Sequence, residues 1–236
     1  MKLGEKMNFD YSIYYKIFHR EDKEYFEQMV RAYTWLERYI PKKEAKILDV
    51  GCGFGFAIYA LKKLGYKNVR GIDIAPEMVK VGKKLGLEIE LVEDSIAYLS
   101  NFPENFDVIL AFDVLEHVPK DKQLDFVRAL YNALKRPGTL ILTTPNANAR
   151  FACRYRYSDW THTISFTEHS ITFLLKNAGF EQIKINETGF TWKNPIRLLI
   201  RKFVRFWHRI EAISEFGWEG LKIPLSLNLL VIAWKL

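Results

Sequence analysis

The sequence predicts an α/β fold, a doubly wound sheet of seven mostly parallel strands with helices on both faces. Apolar segments of strand length alternate with amphipathic segments of helix length between residues 46 and 187. The strand segments are mainly apolar, which is typical of parallel strands that are covered on both faces. A further apolar segment, residues 227–235, has no helix after it, and we expect it to join the sheet as an antiparallel last strand.

The first predicted elements are a helical region and a strand that leads into a glycine turn. Residues 8–40 carry apolar and aromatic side chains near helical spacing, and Pro41 ends this N-terminal helical cap, which we bound at 1–44. The strand is "KILDV" (46–50), and the turn follows it directly. The next helix, "FAIYALKKLG", is closed by Gly65.

Strands and helices alternate over the rest of the predicted core, 45–187. Pro76 near the first turn and Gly86 after the last turn bound the helix that follows the second strand. A long insertion, 188–226, precedes the terminal strand, 227–236, and we expect all these parts to form one domain. The later predicted strands are 68–74, 87–93, 106–112, 138–145 and 180–187, and the later predicted helices are 75–86, 121–134 and 167–179.

The composition favours a folded protein in a reducing compartment. Hydrophobic residues make up 49% of the chain, enough for a full core. The two cysteines, Cys52 and Cys153, suggest neither a disulfide framework nor a zinc site, so we expect a cytoplasmic protein. The longest apolar stretch near the end has about a dozen residues, short of the ~20 that a spanning helix needs. A net charge of +7 leaves nucleic acid, anionic lipid and phosphorylated substrates open as partners.

The glycine turn "DVGCGFGF" (49–56) predicts a site for a nucleotide-like cofactor. Its glycines follow the spacing G-x-G-x-G, whereas a dinucleotide fingerprint, G-x-G-x-x-G, would place its third glycine at Phe56. Asp73 ends the second strand some twenty residues later, where a carboxylate can accept hydrogen bonds from ribose hydroxyls. The alternative role for Asp73 is that of a helix N-cap ahead of Pro76. The pattern therefore predicts an adenosine cofactor and weighs against a dinucleotide.

Five segments in order extend this pattern: "ILDVGCGFG", "GIDIAPEMV", "VEDS", "FDVILAFDVLEHV" and "LKRPGTLILTTPN". Together they resemble the class I S-adenosylmethionine-dependent methyltransferases, and especially the branch that contains the ubiquinone- and menaquinone-biosynthesis methyltransferases. The resemblance covers about residues 45–187 and the terminal strand. It implies a Rossmann-like fold, S-adenosylmethionine as the cofactor and an enzyme that transfers a methyl group.

The same resemblance implies a role for each matching residue. The turn would line the methionine portion of the cofactor, the acid after the second strand would bind the ribose, and the segments after the third and fourth strands would enclose the adenine. Ile74 and Ile96 can equally be plain core residues. The implied cofactor-binding residues are Asp49, Gly51, Gly53, Gly55, Asp73, Ile74, Asp94, Ser95, Ile96, Phe112 and Asp113.

Two histidines are the predicted catalytic residues. His117 lies in "DVLEHVP" after the fourth strand, and His162 lies in "SDWTHTISFT" after the fifth. A hydroxyl acceptor benefits from a base, for which histidine is suited near neutral pH, whereas a carboxylate or phosphate acceptor needs none. A structural role is the alternative for either histidine. Some members of the branch hold a divalent cation near "EHV", but Glu116 and His117 alone are too few ligands, so we predict no metal site.

The acceptor is predicted from two further segments. Tyrosines and arginines crowd the predicted loop 150–160, which is similar to loops in methyltransferases of bacterial surface-polysaccharide and lipid-linked glycan pathways. The segment "NPIRLLIRKFVRFWHRIEAI" (194–213) carries one apolar stripe among five basic residues. It predicts either peripheral membrane contact through 195–213, or a lid over a lipid-like substrate, or a helix packed on its own domain with its basic side in water.

We therefore expect O-methylation of a small or glycan- or lipid-linked acceptor by a cytoplasmic enzyme that can associate with the cytoplasmic face of a membrane. A quinone-type or other small molecule is the alternative acceptor. A non-catalytic binding protein of the same fold is the alternative of another class. A nucleic-acid acceptor is disfavoured, because the Asn/Asp-Pro-Pro-aromatic motif of amino-methylating nucleic-acid enzymes is replaced here by "FDVL". The oligomeric state stays unpredicted.

Overall fold

The computed structural model describes residues 22–188 and 195–236. Residues 8–21 of the predicted helical cap and the start of the predicted insertion lie outside the described residues. The strands are β1 (Lys46–Val50), β2 (Asn68–Asp73), β3 (Ile89–Leu91), β4 (Phe106–Phe112), β5 (Leu134–Pro145), β6 (Gln182–Glu187) and β7 (Asn228–Lys235). The helices are α1 (Lys23–Tyr33), α2 (Phe56–Lys63), α3 (Pro76–Lys84), α4 (Ser95–Ser100), α5 (Gln123–Ala133), α6 (Ala152–Ser158), α7 (Glu168–Ala178) and α8 (Pro195–Phe216).

The predicted fold class is confirmed. The structure has a mixed sheet of seven strands, mostly parallel, in which β7 is antiparallel to its neighbours, and helices connect the parallel strands. The described residues divide into two compact units, residues 22–95 and residues 96–188 with 195–236.

The first unit contains β1, β2 and β3, paired in parallel in the order β3-β2-β1. The strand β1 is buried from Ile47 to Val50, as expected for an apolar strand covered on both faces. The helix α1 packs on α2, where the ring of Phe26 lies 4.5 Å from that of Phe56. This helix ends at Tyr33 and continues as a 3-10 helix only to Arg38, short of the predicted end at Pro41.

The second unit contains the remaining strands in the order β4-β5-β7-β6. The last strand, β7, lies between β5 and β6 and is antiparallel to both, with Ile141 opposite Ile232 and Ile185 opposite Val231. Every residue from Leu229 to Ala233 is buried, so this late strand forms the centre of its half of the sheet. The antiparallel direction predicted from the missing helix is confirmed.

Three local predictions were incomplete. The six-residue helix α4 was not predicted, because it is too short for a clear apolar period and only Leu99 anchors it in the core. The predicted tyrosine- and arginine-rich loop contains the helix α6, which is compatible with the sequence because neither glycine nor proline occurs between Pro145 and Gly179. Finally, β5 begins at Leu134 rather than at residue 138, since Leu134 pairs with Phe106 of β4.

Candidate active site

The glycine turn is tied to the end of β2 by its own backbone. The amides of Gly51 and Cys52 donate to the carbonyl oxygen of Ile72 over 2.9 and 3.1 Å. The amide of Gly53 donates to Asp73 Oδ2 over 2.7 Å, and the amide of Ala75 donates to Asp73 Oδ1 over 2.8 Å. Ala75, rather than Asp73, is the N-cap of α3. The carboxylate is therefore fixed between the turn and the start of α3, and each oxygen keeps further acceptor capacity.

Glycine is required at position 55, and a large residue is accommodated at position 56. Gly55 has a φ of +82°, and a Cβ there would lie 2.8 Å from methyl groups of both Ile89 and Leu87. The ring of Phe56, by contrast, points to α1, where it contacts Tyr25 at 5.2 Å and Phe26 at 4.5 Å between ring centroids. The bulky residue that disfavoured a dinucleotide pattern is thus a packing residue of the first unit.

Two buried carboxylates lie in this first unit. Asp49 is 3% exposed, and burial together with the negative charge of Asp73 raises its pKa well above the usual range. Burial also raises the pKa of Asp73, against the opposing effect of its hydrogen bonds from Ala75 and Gly53. Burial without a counter-charge disfavours the ionised forms, and a cationic ligand group would restore them. The donor set and the close-fitting turn suit a ligand with ribose hydroxyls and a positive charge, as S-adenosylmethionine has.

The other residues predicted at the cofactor take the following positions. Ile74 is 47% exposed beside Asp73, which excludes the alternative of a core residue. Asp94 is exposed just ahead of α4, and Ser95 and Ile96 are half-buried at its start. Phe112 is half-buried at the end of β4.

Asp113 follows Phe112 and is held within the second unit. It adopts a left-handed backbone with φ of +53°, which is uncommon for a residue other than glycine, although Asp adopts it more readily than most. Its Oδ1 accepts hydrogen bonds from Thr143 Oγ1 at 3.0 Å and from Asn228 Nδ2 at 2.6 Å. Both partners come from neighbouring strands, so the carboxylate is positioned by the sheet.

The two predicted catalytic histidines lie together in the second unit. His117 ends a 3-10 helix, Leu115–His117, and His162 lies in the loop between α6 and α7. Their ring centroids are 4.8 Å apart in an edge-to-face arrangement. The loop is held to the 3-10 helix because the amide and the hydroxyl of Thr163 both donate to the carbonyl oxygen of Glu116, over 2.7 and 2.8 Å.

Hydrogen bonds define the tautomer of His117. The hydroxyl of Thr161 donates its single proton to Asp159 Oδ1 over 2.6 Å. The same hydroxyl oxygen lies 2.8 Å from His117 Nδ1, so it must accept a hydrogen bond from Nδ1–H. In the neutral imidazole of His117 this hydrogen bond places the ring proton on Nδ1.

Both imidazoles are held in their neutral form. Burial, and then the charge of His162, lower the pKa of His117 to about 4. Burial likewise lowers the pKa of His162, against the opposing charge of Asp159, whose Oδ2 lies 3.6 Å from His162 Nε2. Burial acts to raise the pKa of Asp159, but hydrogen bonds from Thr161 and the nearby histidines outweigh it, and the net shift is downward. A carboxylate thus stands beside two neutral imidazoles.

Glu116 adds a buried acid to this cluster. It is 1% exposed, and burial followed by the charge of Asp113 raises its pKa well above the usual range. Its Oε2 accepts a hydrogen bond from Thr144 over 3.2 Å, whereas its Oε1, like Nδ1 of His162, is buried without a hydrogen-bond partner among the described residues. Glu116, His117 and His162 each offer one ligand atom, and these atoms lie within 4.8 Å of one another. The fold thus brings a third potential ligand to an acid–histidine pair in which the sequence showed only two.

Sequence analysis missed the residues that orient this cluster. Asp159 and Thr161 lie three and one residues before His162, and that proximity was the one signal available. No signal in the sequence pointed to Thr143 and Asn228, which bind Asp113, because 30 and 115 residues separate them from Asp113 along the chain. Tyr155, whose ring lies 6.1 Å from that of His162, belongs to the tyrosine- and arginine-rich segment from which only the acceptor was predicted. Burial, followed by the charge of Asp113, raises the pKa of Tyr155 to about 12, so it stays protonated.

This fold, with a glycine turn after β1 and an acid at the end of β2, defines the class of Rossmann-like enzymes that bind adenosine cofactors. A protein-family model described as a methyltransferase domain matches residues 19–185, and the chain belongs to that family. The predicted class of S-adenosylmethionine-dependent methyltransferases is thereby confirmed, as is S-adenosylmethionine in preference to a dinucleotide. Nothing in the comparisons favours the non-catalytic alternative.

Relatives and a solved structure agree with this membership. The chain is 41% identical over 110 residues to a ubiquinone biosynthesis O-methyltransferase of Xanthomonas campestris pv. campestris, a match that covers 43% of this chain and 44% of that protein. It is 32% identical over 182 residues to a protein of the same name from Xanthomonas euvesicatoria pv. vesicatoria, with 69% of this chain and 74% of that protein covered. The chain thus spans less than half the length of the first relative.

The solved structure is that of a SAM dependent methyltransferase from Archaeoglobus fulgidus. It superimposes with a TM-score of 0.64 at 23% identity, and the alignment covers 91% of this chain and all of that one. At this identity the likeness establishes the fold, and it is consistent with the seven-stranded sheet described above.

Proposed function

We propose that this chain transfers the methyl group of S-adenosylmethionine to an oxygen atom of a small or lipid-linked acceptor. The observation that carries the proposal is the pair of imidazoles whose ring centroids lie 4.8 Å apart, both with a lowered pKa and both near the Asp159 carboxylate. The named activity of the relatives, O-methylation, supports the same choice of acceptor atom.

The cofactor is proposed to bind through the residues predicted from the sequence. The turn from Asp49 to Gly55 would hold its methionine portion, and Asp73 would accept hydrogen bonds from the ribose hydroxyls. Ile74, Asp94, Ser95, Ile96, Phe112 and Asp113 complete the proposed set. When bound, S-adenosylmethionine supplies an electrophilic methyl carbon and a leaving group that departs as the neutral thioether.

The histidines are proposed to activate the acceptor. His117 or His162 would take the proton of the acceptor O–H group, and the oxygen would then receive the methyl group that the bound cofactor supplies, with the electrons of the broken C–S bond leaving on the neutral thioether. Asp159 stabilises the imidazolium, directly for His162 and through Thr161 for His117. The burial of the cluster keeps water away from the proton transfer.

Two classes of acceptor are supported by separate observations. The names of the relatives favour a quinone-type aromatic hydroxyl. The exposed aromatic residues Phe151, Tyr157 and Trp160, which are 61%, 77% and 84% exposed around α6, favour a larger glycan- or lipid-linked acceptor with groups to stack on. We propose the lipid-linked class, with a protein that works at the cytoplasmic face of a membrane.

The test is methyl transfer from labelled S-adenosylmethionine to phenols with and without a prenyl chain, and to glycans with and without a lipid carrier. We expect His117→Asn and His162→Asn each to lower kcat about a hundredfold, a typical loss for general-base catalysis. Binding of S-adenosylhomocysteine, followed by calorimetry, should be unchanged in both variants and in the control His169→Asn, whose side chain is 92% exposed. Full kcat in the double histidine variant would refute the proposed base.

A further inference from the structure

The helix α8 is attached to its unit by its arginines. Arg205 forms a close ion pair with Glu187 at the end of β6. Arg209 Nη1 donates to the carbonyl oxygens of Gly220 and Ile223 over 2.6 and 2.8 Å, and its Nη2 lies 3.8 Å from Glu187 Oε1. Ala212, one turn further on, is the only buried residue of the helix. Residues 205, 209 and 212 share one face by helical spacing, so the inner face of α8 is the basic one.

The opposite face of α8 is apolar and exposed. By helical spacing its centre is the row Ile196, Ile200, Phe203 and Trp207, whose exposed fractions are 66%, 58%, 64% and 53%. We call this row, together with Leu199 and Ile210, the outer stripe; the two added residues are 66% and 40% exposed. A helix packed on its own domain would bury this stripe and expose its arginines. The structure shows the reverse, so that interpretation of the sequence is wrong.

The size of the outer stripe indicates an interaction surface. The helix has 22 residues and so a length of about 33 Å. Large contiguous apolar patches are rare on soluble monomers and mark contact with a protein, a lipid or a ligand. More aromatic surface follows directly, because Phe216 and Trp218 are 63% and 81% exposed where α8 passes into the 3-10 helix Gly217–Leu221.

The charges beside the stripe favour anionic lipid over a second copy of the chain. Arg197 and Lys202, both exposed, flank the stripe on its two sides by helical spacing, and the exposed acids Glu211 and Glu215 lie near the C-terminal end of the helix. Two copies paired in parallel through the stripe would bring these like charges together, whereas a lipid surface places phosphates next to them. Tryptophan and phenylalanine at the apolar–polar boundary are also typical of helices that lie in a membrane interface. None of the described helices is long and apolar enough to cross a membrane.

We propose that α8 lies flat on a membrane surface rich in anionic phospholipid, with the outer stripe inserted among the acyl chains and Arg197 and Lys202 at the phosphates. The ion pair of Arg205 with Glu187 and the bonds of Arg209 fix the helix so that the stripe faces outward before binding. Membrane binding by α8 would bring the enzyme to a lipid-linked acceptor, and that role rests on the proposed function. The binding itself needs no methyl transfer and can fail or succeed independently of it.

The experiment is co-sedimentation of the full chain with vesicles of phosphatidylcholine, alone or mixed with phosphatidylglycerol. We expect binding to the mixed vesicles that weakens with added salt, and much weaker binding to phosphatidylcholine alone. The double variant Phe203→Glu, Trp207→Glu should bind about a hundredfold more weakly, because each change puts a charge in place of an apolar side chain that inserts into the membrane. The double variant Arg197→Gln, Lys202→Gln should lose about 30-fold on the mixed vesicles.

The matched control is Phe173→Glu, which changes an aromatic residue that is 71% exposed on α7 and should leave vesicle binding unchanged. Calorimetric binding of S-adenosylhomocysteine by every variant shows that the chain is folded. The proposal is overturned if the unchanged protein does not bind mixed vesicles, or if the glutamate double variant binds like the unchanged protein. It is also overturned if sedimentation equilibrium shows a dimer that the glutamate double variant abolishes, since the stripe would then belong to a second copy.

Discussion

The substitution Gly55→Ala tests how tightly the glycine turn is packed. The alanine would have to adopt a φ of +82°, and its Cβ would lie 2.8 Å from methyl groups of Ile89 and Leu87. The left-handed backbone costs about 1–2 kcal/mol for a residue other than glycine. Inserting a methyl group into a packed core costs a further ~1–3 kcal/mol. We therefore expect the free energy of unfolding to fall by about 2–5 kcal/mol.

A second glycine separates the two contributions. Gly65 has a φ of +91°, but nothing lies within 4 Å of the position of its Cβ. Gly65→Ala should therefore show the backbone cost alone, and the difference between the two variants should be about 1–3 kcal/mol. The assay is equilibrium urea unfolding of both variants and the unchanged protein, with the slope checked for equality. If the two variants agree within about 0.5 kcal/mol, the close contacts at Gly55 do not constrain the turn, and the steric reasoning fails.

Two further substitutions test the cofactor site in the same unit. Asp73→Asn should weaken S-adenosylhomocysteine binding at least about tenfold in calorimetry, because charge-assisted hydrogen bonds are about twice as strong as neutral ones; unchanged affinity would remove Asp73 from the ribose site. Phe56→Gly creates the dinucleotide spacing G-x-G-x-x-G. It should lower the free energy of unfolding by about 3–5 kcal/mol, because the contacts of the Phe56 ring with Tyr25 and Phe26 are lost. NADH should not raise the Tm of this variant; a rise in Tm would mean that residue 56 selects the cofactor.

The sequence was most informative where structure depends on neighbouring residues. The strand β4 has the predicted limits. Thr167 caps the start of α7 with its side chain and Gly179 ends it in a left-handed conformation, and both effects depend only on neighbouring residues. The G-x-G-x-G turn and Asp73 were predictable for the same reason, since one βαβ unit contains both.

The parts that were not predictable depend on contacts between distant segments. The inner face of α8 is decided by Glu187, which attracts arginines that an amphipathic pattern assigns to solvent. The position of β7 between β5 and β6 is set by strand pairing that leaves no signal in the order of elements. The proximity of the histidines arises from the hydrogen bonds of Thr163 to the backbone around Glu116.

The depressed pKa of His117 has a consequence for stability. Burial lowers this pKa to about 4, whereas an imidazole in the unfolded chain titrates near 6.5. As pH falls below 6.5, His117 becomes protonated in the unfolded state but stays neutral in the folded state. The free energy of unfolding therefore decreases until the pH falls below the pKa of His117 in the folded state. Between pH 7.5 and pH 5 this linkage amounts to about 2 kcal/mol. His117→Asn should remove that part of the pH dependence.

The comparison must be a difference between proteins, because other groups titrate in the same range. Burial lowers the pKa of His162, which gives a contribution of the same sign, while the raised pKa of Glu116 gives a contribution that is lost as pH rises. Both contributions largely cancel when the urea-unfolding free energy of His117→Asn is subtracted from that of the unchanged protein at each pH. A chelator in the buffer keeps the imidazoles free of metal, and His169→Asn, at an exposed ring, serves as the control. If the difference stays constant from pH 7.5 to pH 5, His117 is not held neutral by its surroundings, and its proposed role as a proton acceptor loses its physical basis.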